Sequence, residues 1–187
     1  MSVDFSGVQI SPPDAQDLPS IQAIYANAVL TGTATFELTP PDLAEMTRRC
    51  HTLTDQGFPY FVARSLDGEV LGYAYAGPYR PRPAYRYTVE DSIYLAPPAR
   101  SHGLGKALLT ALIEDAASKD FRQMIAVIGD SLHTASITLH ERLGFNHAGI
   151  FRNVGWKHNR WLDSVLMQRS LGEGALCSGT EPVEDIS

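Results

Sequence analysis

Seven residues, Arg100-Ser101-His102-Gly103-Leu104-Gly105-Lys106, constrain this chain more than any other stretch. They separate a strand-like run ending at Leu95 from a strongly helical run that reaches about Lys119. Two glycines let the backbone approach a ligand closely, and the helix that opens there offers unpaired N–H groups and a positive dipole end. Such a junction holds an anion, and a pyrophosphate suits it. The residues before it, Tyr85 to Leu95, read as a long strand ended by Pro97-Pro98. After it, Leu104, Ala107, Leu108, Ala111 and Leu112 form one apolar helical stripe, and Met124 to Ile128 is a compact apolar run bounded by Gly129-Asp130. A helical crossover places such a strand parallel to its predecessor, so Tyr85 to Ile128 reads as strand, phosphate loop, helix, strand.

The flanking segments supply more of a mixed α/β domain. Val8 to Ile10 suits a short strand, and Asp14 or Asp17 can cap a helix carrying Ile21, Ile24, Tyr25, Ala28 and Val29 up to Gly32. Thr33 to Glu37 is loop-like, with Phe36 placed to line a pocket or to tuck into the core. A second helix from Pro41 to about Gln56 aligns Leu43, Met46, Cys50 and Leu53. Tyr60 to Arg64 and Val70 to Ala76 read as a hairpin joined through Asp67-Gly68. The proline-broken segment Pro78 to Pro83 cannot extend a sheet, which leaves Arg80 and Arg82 on a loop. Ser136 to Leu143 forms a short helix stopped by Gly144, and two further strands surround Trp156 and Val165.

A length of 187 residues is enough for one domain with its own core, expected over residues 1–171, before an acidic, glycine-containing tail at 172–187 expected to be mobile. The 44% hydrophobic and 19% charged composition is that of a soluble globular chain. A net charge of −6 gives no electrostatic reason for a nucleic-acid or anionic-membrane partner, although Arg100 and Lys106 make a local basic patch. Cys50 and Cys177 form neither a disulfide framework nor a zinc or redox pattern, and a reducing cytoplasm is the expected compartment. Met1 to Gln9 lack the features of a secretory leader, and no apolar run is long enough to cross a bilayer.

Spacing separates the possible anion loops. A Walker loop requires glycine at 100 and Ser or Thr at 107, where Arg100 and Ala107 stand; a dinucleotide fingerprint requires glycine at 108, where Leu108 stands. The remaining pattern, Arg-x-x-Gly-x-Gly between strand and helix, resembles the acetyl-coenzyme A loop of the GNAT superfamily of N-acetyltransferases. A second similar element follows in order, Ser136-Ile137-Thr138-Leu139-His140-Glu141-Arg142-Leu143-Gly144-Phe145. The likeness narrows to phosphinothricin-type enzymes through Tyr87-Thr88-Val89-Glu90-Asp91-Ser92-Ile93-Tyr94, Ala126-Val127-Ile128-Gly129, Leu139-His140-Glu141 and Gly155-Trp156-Lys157-His158 with Trp161 and Asp163. It runs from about Val8 to Arg169.

The resemblance implies a GNAT fold, α/β with a central mixed, largely antiparallel sheet flanked by helices. It also implies acetyl-CoA as co-substrate, no metal, a homodimer, and direct transfer to the primary amine of a small amino-acid-like acceptor such as phosphinothricin or methionine sulfoximine. On this likeness the backbone of Ile93, Tyr94 and Leu95 meets the pantetheine arm, while Arg100, Ser101, His102, Gly103, Leu104, Gly105 and Lys106 hold the pyrophosphate. Ser136 joins this coenzyme set, and His133 stands where such enzymes carry an asparagine that binds the pantetheine amides. Acetyl transfer needs a neutral amine, and the likeness makes Glu90 its general base. His140 would orient or protonate groups near the sulfur. Arg80 and Arg82 offer guanidinium forks to a carboxylate, with Phe36, Tyr85 and Thr88 shaping the rest of the acceptor pocket. Trp156, Lys157, His158 and Trp161 suit a dimer surface or core edge. His133 and His140 have no third ligand for a metal. Two alternatives stay open: acetylation of another amine, such as a polyamine or protein N-terminus, and a non-catalytic acyl-CoA sensor. The two arginines disfavour polyamines by like charge.

Overall fold

The computed structural model describes residues 7–176. Its strands are β1 (Gln9–Ser11), β2 (Tyr60–Arg64), β3 (Val70–Pro78), β4 (Thr88–Leu95), β5 (Gln123–Gly129), β6 (Asn146–Lys157) and β7 (Arg160–Ser170). The helices are α1 (Leu18–Thr31), α2 (Leu43–Asp55), α3 (Leu104–Ser118) and α4 (Thr134–Arg142). The strands form one sheet in the order β1-β2-β3-β4-β5-β7-β6, with every neighbouring pair antiparallel except β4 and β5. The parallel pair is the one joined through α3, as the crossover requires.

Local chemistry accounts for the joints. Gly68 turns the β2–β3 hairpin at φ +82°, and its N–H bonds the Ser65 carbonyl. Asp42 caps α2 by accepting the Glu45 N–H at 2.8 Å. Alternation along the strands then sorts side chains to two faces. On one face Leu108, Leu109, Leu112 and Ala116 of α3 pack against Ala63, Ala74, Ala76, Val89, Met124 and Ala126. On the other, Ile21, Val29, Met46 and Cys50 of α1 and α2 cover Tyr60, Val62, Tyr73 and Tyr94. Ring centroids of Tyr60 and Tyr73 lie 5.9 Å apart, and those of Tyr73 and Tyr94 lie 5.3 Å apart, both stacked.

The sheet is split in the middle. β4 and β5 pair only from Thr88–Gln123 to Asp91–Ala126. Beyond that point β4 continues with β3 to Leu95, while β5 continues with β7 to Gly129. A wedge opens between them, lined by Asp91, Ser92, Ile93, Tyr94, Val127 and His133 among others.

Three expectations change. The strand expected from Tyr85 begins at Thr88, because Pro83–Tyr85 forms a 3₁₀ turn in which the Tyr85 ring meets Tyr79 edge-on at 5.5 Å. Proline at the start of that turn fixes φ and outweighs the β preference of the tyrosines. Pro78 does belong to the sheet, as the last residue of β3, opposite Val89. Asp17 occupies the cap position of α1 without a capping bond; its carboxylate is taken by Arg64 Nε at 2.8 Å and by the Asp14 N–H at 2.7 Å. In the segment after Leu171, Gly174–Leu176 forms a short turn, and residues 177–187, Cys177 included, lie outside the described residues. Among the described residues no helix is long and apolar enough to cross a membrane.

Leu108 is fully buried between α3 and the sheet. Leu108→Ala is expected to cost about 2–5 kcal/mol of unfolding free energy, read as a lower urea midpoint.

Candidate active site

The glycine stretch lies where α3 begins. Gly103 takes the cap position at φ +82° and Ser101 has φ +67°. The first intrahelical bond runs from the Ala107 N–H to the Gly103 carbonyl at 3.2 Å, so the N–H groups of Leu104, Gly105 and Lys106 precede it. No side chain caps this end, and nothing lies within 4 Å of where a Cβ on Gly103 would stand. Arg100, Ser101, His102 and Lys106 are exposed around it, whereas the Leu104 side chain is buried and contributes only backbone. An open, uncapped helix end flanked by two cations suits a coenzyme pyrophosphate.

The wedge carries the titratable groups. Asp91 and His140 are both buried, and His140 Nε2 lies 3.0 Å from Asp91 Oδ2 while Nδ1 lies 2.7 Å from the Ser136 carbonyl. A carbonyl and a carboxylate both accept, so the two contacts together favour the protonated, charged ring. Burial works against that charge, but the bond to Asp91 and its negative charge, together with the Ser136 carbonyl, raise the His140 pKa above its ordinary value. The pair ties α4 to β4, and its stabilisation is complete below the ordinary histidine value and lost as pH rises through the raised one. Asp91 Oδ1 and His133 Nδ1 are buried without hydrogen-bond partners. His133 is held below its ordinary pKa by burial, with Arg100 and His140 acting in the same direction and Asp130 opposing. Both features favour the neutral ring, and His133 borders the wedge. Beyond Asp91 the edge of β4 that faced β5 runs without a partner strand through Ile93, Tyr94 and Leu95. The Tyr94 side chain points away into the tyrosine stack, so this residue too offers its backbone.

Glu90, next to Asp91, takes the opposite face. It is half-buried, and burial followed by the Asp91 charge pushes its pKa up to about 7, against a smaller downward pull from Arg80. Arg80 lies over the Tyr79 ring at 5.1 Å to the centroid, and Tyr79 touches Tyr85. Arg80, Arg82 and Tyr85 are exposed on the loop before β4, where the Thr88 carbonyl accepts the Tyr79 N–H at 3.3 Å. Phe36 is seated on Gly129 and Gly155, its ring partly exposed. The sequence-predicted residues thus fall into three neighbouring groups: the loop at α3, the wedge, and the acceptor-side loops.

Several members were missed. Asp91 stood beside Glu90 in the sequence, but nothing there paired it with a histidine 49 positions away. The bonds from Tyr25 Oη and Arg49 Nη1 to Glu37 Oε1, at 2.9 and 2.6 Å, join two helices to a loop and have no local signature. Lys157, expected at a dimer surface or core edge, is buried and donates from Nζ to the Thr35 carbonyl at 2.7 Å, a bond across 122 positions with no local signature. Among the described residues no group of His, Cys, Asp and Glu is arranged to hold a metal.

A helix-capped anion loop between parallel strands that part to leave a wedge defines a coenzyme A-dependent acyltransferase. The chain matches the family described as "Acetyltransferase (GNAT) domain" over residues 10–166, and it belongs to that family as an acetyl-CoA-dependent N-acetyltransferase. It is 54% identical over 158 residues to the phosphinothricin N-acetyltransferase of Alcaligenes faecalis, covering 84% of this chain and 80% of the relative. With the L-methionine sulfoximine/L-methionine sulfone acetyltransferase of Pseudomonas aeruginosa it shares 47% identity over 155 residues, 83% of this chain and 90% of the other. A crystal structure of a phosphinothricin acetyltransferase from Sinorhizobium meliloti in complex with acetyl-CoA superposes with a TM-score of 0.91 at 50% identity, covering 95% of this chain and 96% of that one.

Ionised Glu90 is costly to keep half-buried, because its folded pKa exceeds the unfolded value; its contribution to stability is present below the unfolded value and lost as pH rises through about 7. Glu90→Gln is therefore expected to raise the melting temperature at pH 8, by on the order of 1 kcal/mol in stability after solvent screening, and to leave it nearly unchanged at pH 4.

Proposed function

We propose that the acceptor is the primary amine of a small amino-acid-like molecule of the phosphinothricin or methionine sulfoximine kind, and that Glu90 is the base that neutralises it. The observation that carries this reading is a carboxylate with pKa about 7 beside the wedge, facing a loop that presents Arg80 and Arg82. Such a group is about half ionised at neutral pH, and its ionised form is basic enough to take a proton from an ammonium, directly or through one water. Acetyl-CoA supplies the activated acetyl group. Arg100 to Lys106 hold its pyrophosphate, the unpaired edge of β4 and the side chains of His133 and Ser136 border its arm, and the arginines bind the acceptor carboxylate with Phe36, Tyr85 and Thr88 around it. His140, with both ring nitrogens engaged, acts by holding Asp91 and the wedge in place. The relatives' own substrates, phosphinothricin and methionine sulfoximine or sulfone, support this acceptor class.

The enzyme works in the cytoplasm as a single catalytic domain over residues 1–171, and as a homodimer. The edge hairpin of β6 and β7 exposes Ile150, Phe151, Val154, Trp156 and Trp161, an apolar surface that suits a second copy.

With phosphinothricin as acceptor, kcat/KM is expected to rise with pH through about 7 as Glu90 ionises. In Glu90→Gln the rate should fall by about 10²–10⁴ and lose that limb while acetyl-CoA binding by calorimetry persists. An unchanged profile and turnover remove Glu90 from this role. Arg80→Ala should raise the acceptor KM more than it lowers kcat. Trp161→Glu should halve the mass measured by light scattering, and an unaltered mass rules out this face as the dimer contact.

A further inference from the structure

A cavity of about 240 Å³ lies between α2 and the strands β2 and β3, on the face of the sheet opposite α3. On the strand side it is lined by Tyr60, Tyr73 and Tyr75, whose rings stack near-parallel; the Tyr60 and Tyr75 centroids are 5.4 Å apart and those of Tyr73 and Tyr75 are 6.3 Å apart. On the helix side Met46, Cys50 and Leu53 line it. These three share one face of α2, and the short Cys50 side chain stands between two long ones, so the middle of the stripe does not reach the rings. No residue lines both this cavity and the wedge between β4 and β5, and Phe36, Arg80 and Thr88 line neither. Protein interiors pack as densely as organic crystals, and an apolar cavity of about 150 Å³ already holds a benzene ring. A space of this size therefore accommodates one ring-sized molecule.

The lining states which kind of molecule. Tyr73 is completely buried, and its Oη has no hydrogen-bond partner. An unpaired buried hydroxyl is costly, and a ligand atom that accepts from it recovers the lost bond. Burial pushes the Cys50 thiol up to about 11 and raises Tyr60 and Tyr75 above their ordinary values, so these walls are uncharged at neutral pH. Arg48 and Arg49 stand at the margin, but carboxylates already match them. Arg48 donates to Glu45 from Nε at 2.8 Å and from Nη2 at 2.7 Å, and Arg49 donates to Glu45 at 2.8 Å and to Glu37 at 2.6 Å. An anion gains little from cations so paired, whereas aromatic walls favour a second aromatic ring.

We propose that the cavity between α2 and β2–β3 is a second ligand site, for a neutral, planar, ring-sized molecule that places one hydrogen-bond acceptor on Tyr73 Oη. The tyrosine rings, Met46 and Leu53 supply its apolar contacts, and the small Cys50 supplies its room.

The test measures dissociation constants for phenol, toluene and benzoate by ligand-observed NMR in the full-length wild type, in Tyr73→Phe and in Cys50→Phe. The wild type is expected to bind phenol saturably, at least about fivefold more tightly than toluene, and to bind benzoate more weakly than phenol. Tyr73→Phe should erase the preference for phenol while toluene binding stays within about twofold. Cys50→Phe, which puts a ring into the space, should weaken phenol and toluene by at least about tenfold with acetyl-CoA binding unchanged. Saturating acetyl-CoA or phosphinothricin, added separately, should leave the phenol constant within about twofold. Should Cys50→Phe fail to fold, Tyr73→Phe still decides. The proposal is overturned by phenol that does not saturate, which means that the cavity holds only water, or by a phenol preference that survives Tyr73→Phe. It is equally overturned by benzoate binding more tightly than phenol, or by competition from acetyl-CoA or phosphinothricin, which assigns the phenol to the active site.

Discussion

The site depends on one break in hydrogen bonding, the end of β4–β5 pairing after Asp91 and Ala126. Within a sheet, backbone N–H and C=O groups find partners on both sides. By separating two central strands while each keeps its outer neighbour, the fold leaves a row of backbone groups on β4 facing a wedge and not a strand. An extended ligand arm with amide groups is the natural occupant of such an edge. The helix that crosses between the same two strands starts beside the opening, where Gly105 faces Leu95 of β4 and Leu139 of α4.

Strand alternation at the break then gives two adjacent carboxylates different lives. Asp91 turns to the α3 and α4 face and is bonded to His140; Glu90 turns to the other face, where it feels both burial and the charge of Asp91. One carboxylate therefore holds the architecture together and the other is poised near neutral pH. Environment, and not residue type, separates the two roles.

The segment between α1 and α2 is assembled differently. The glycine loop is continuous in sequence, whereas this segment is held by α1, α2, the end of β5 and the β6–β7 hairpin. Its bonds are few, and the two glycines leave no slack under Phe36.

Local features were legible in the chain. The glycine loop, the hairpin at Asp67-Gly68 and the strand–helix–strand order each follow from backbone or periodicity constraints acting over a few residues; the apolar stripe of α3 kept Leu104, Leu108 and Leu112 but turned toward Leu109, Ile113 and Ala116, leaving Ala107 exposed, because the sheet beneath it sets the buried face. Legibility failed where proline geometry outweighed β propensity, as in the turn that ends at Tyr85, and where a charge found a distant partner, as Asp17 did in Arg64. It failed entirely for His140 with Asp91 and for Lys157 with Thr35, which are 49 and 122 positions apart. The sequence by itself determined the donor, because a phosphate loop is made by neighbouring residues. Only the tertiary structure decided which carboxylate is paired, where the sheet splits and how Phe36 is seated, because burial and pairing across the chain exist only once the faces of the sheet have been covered.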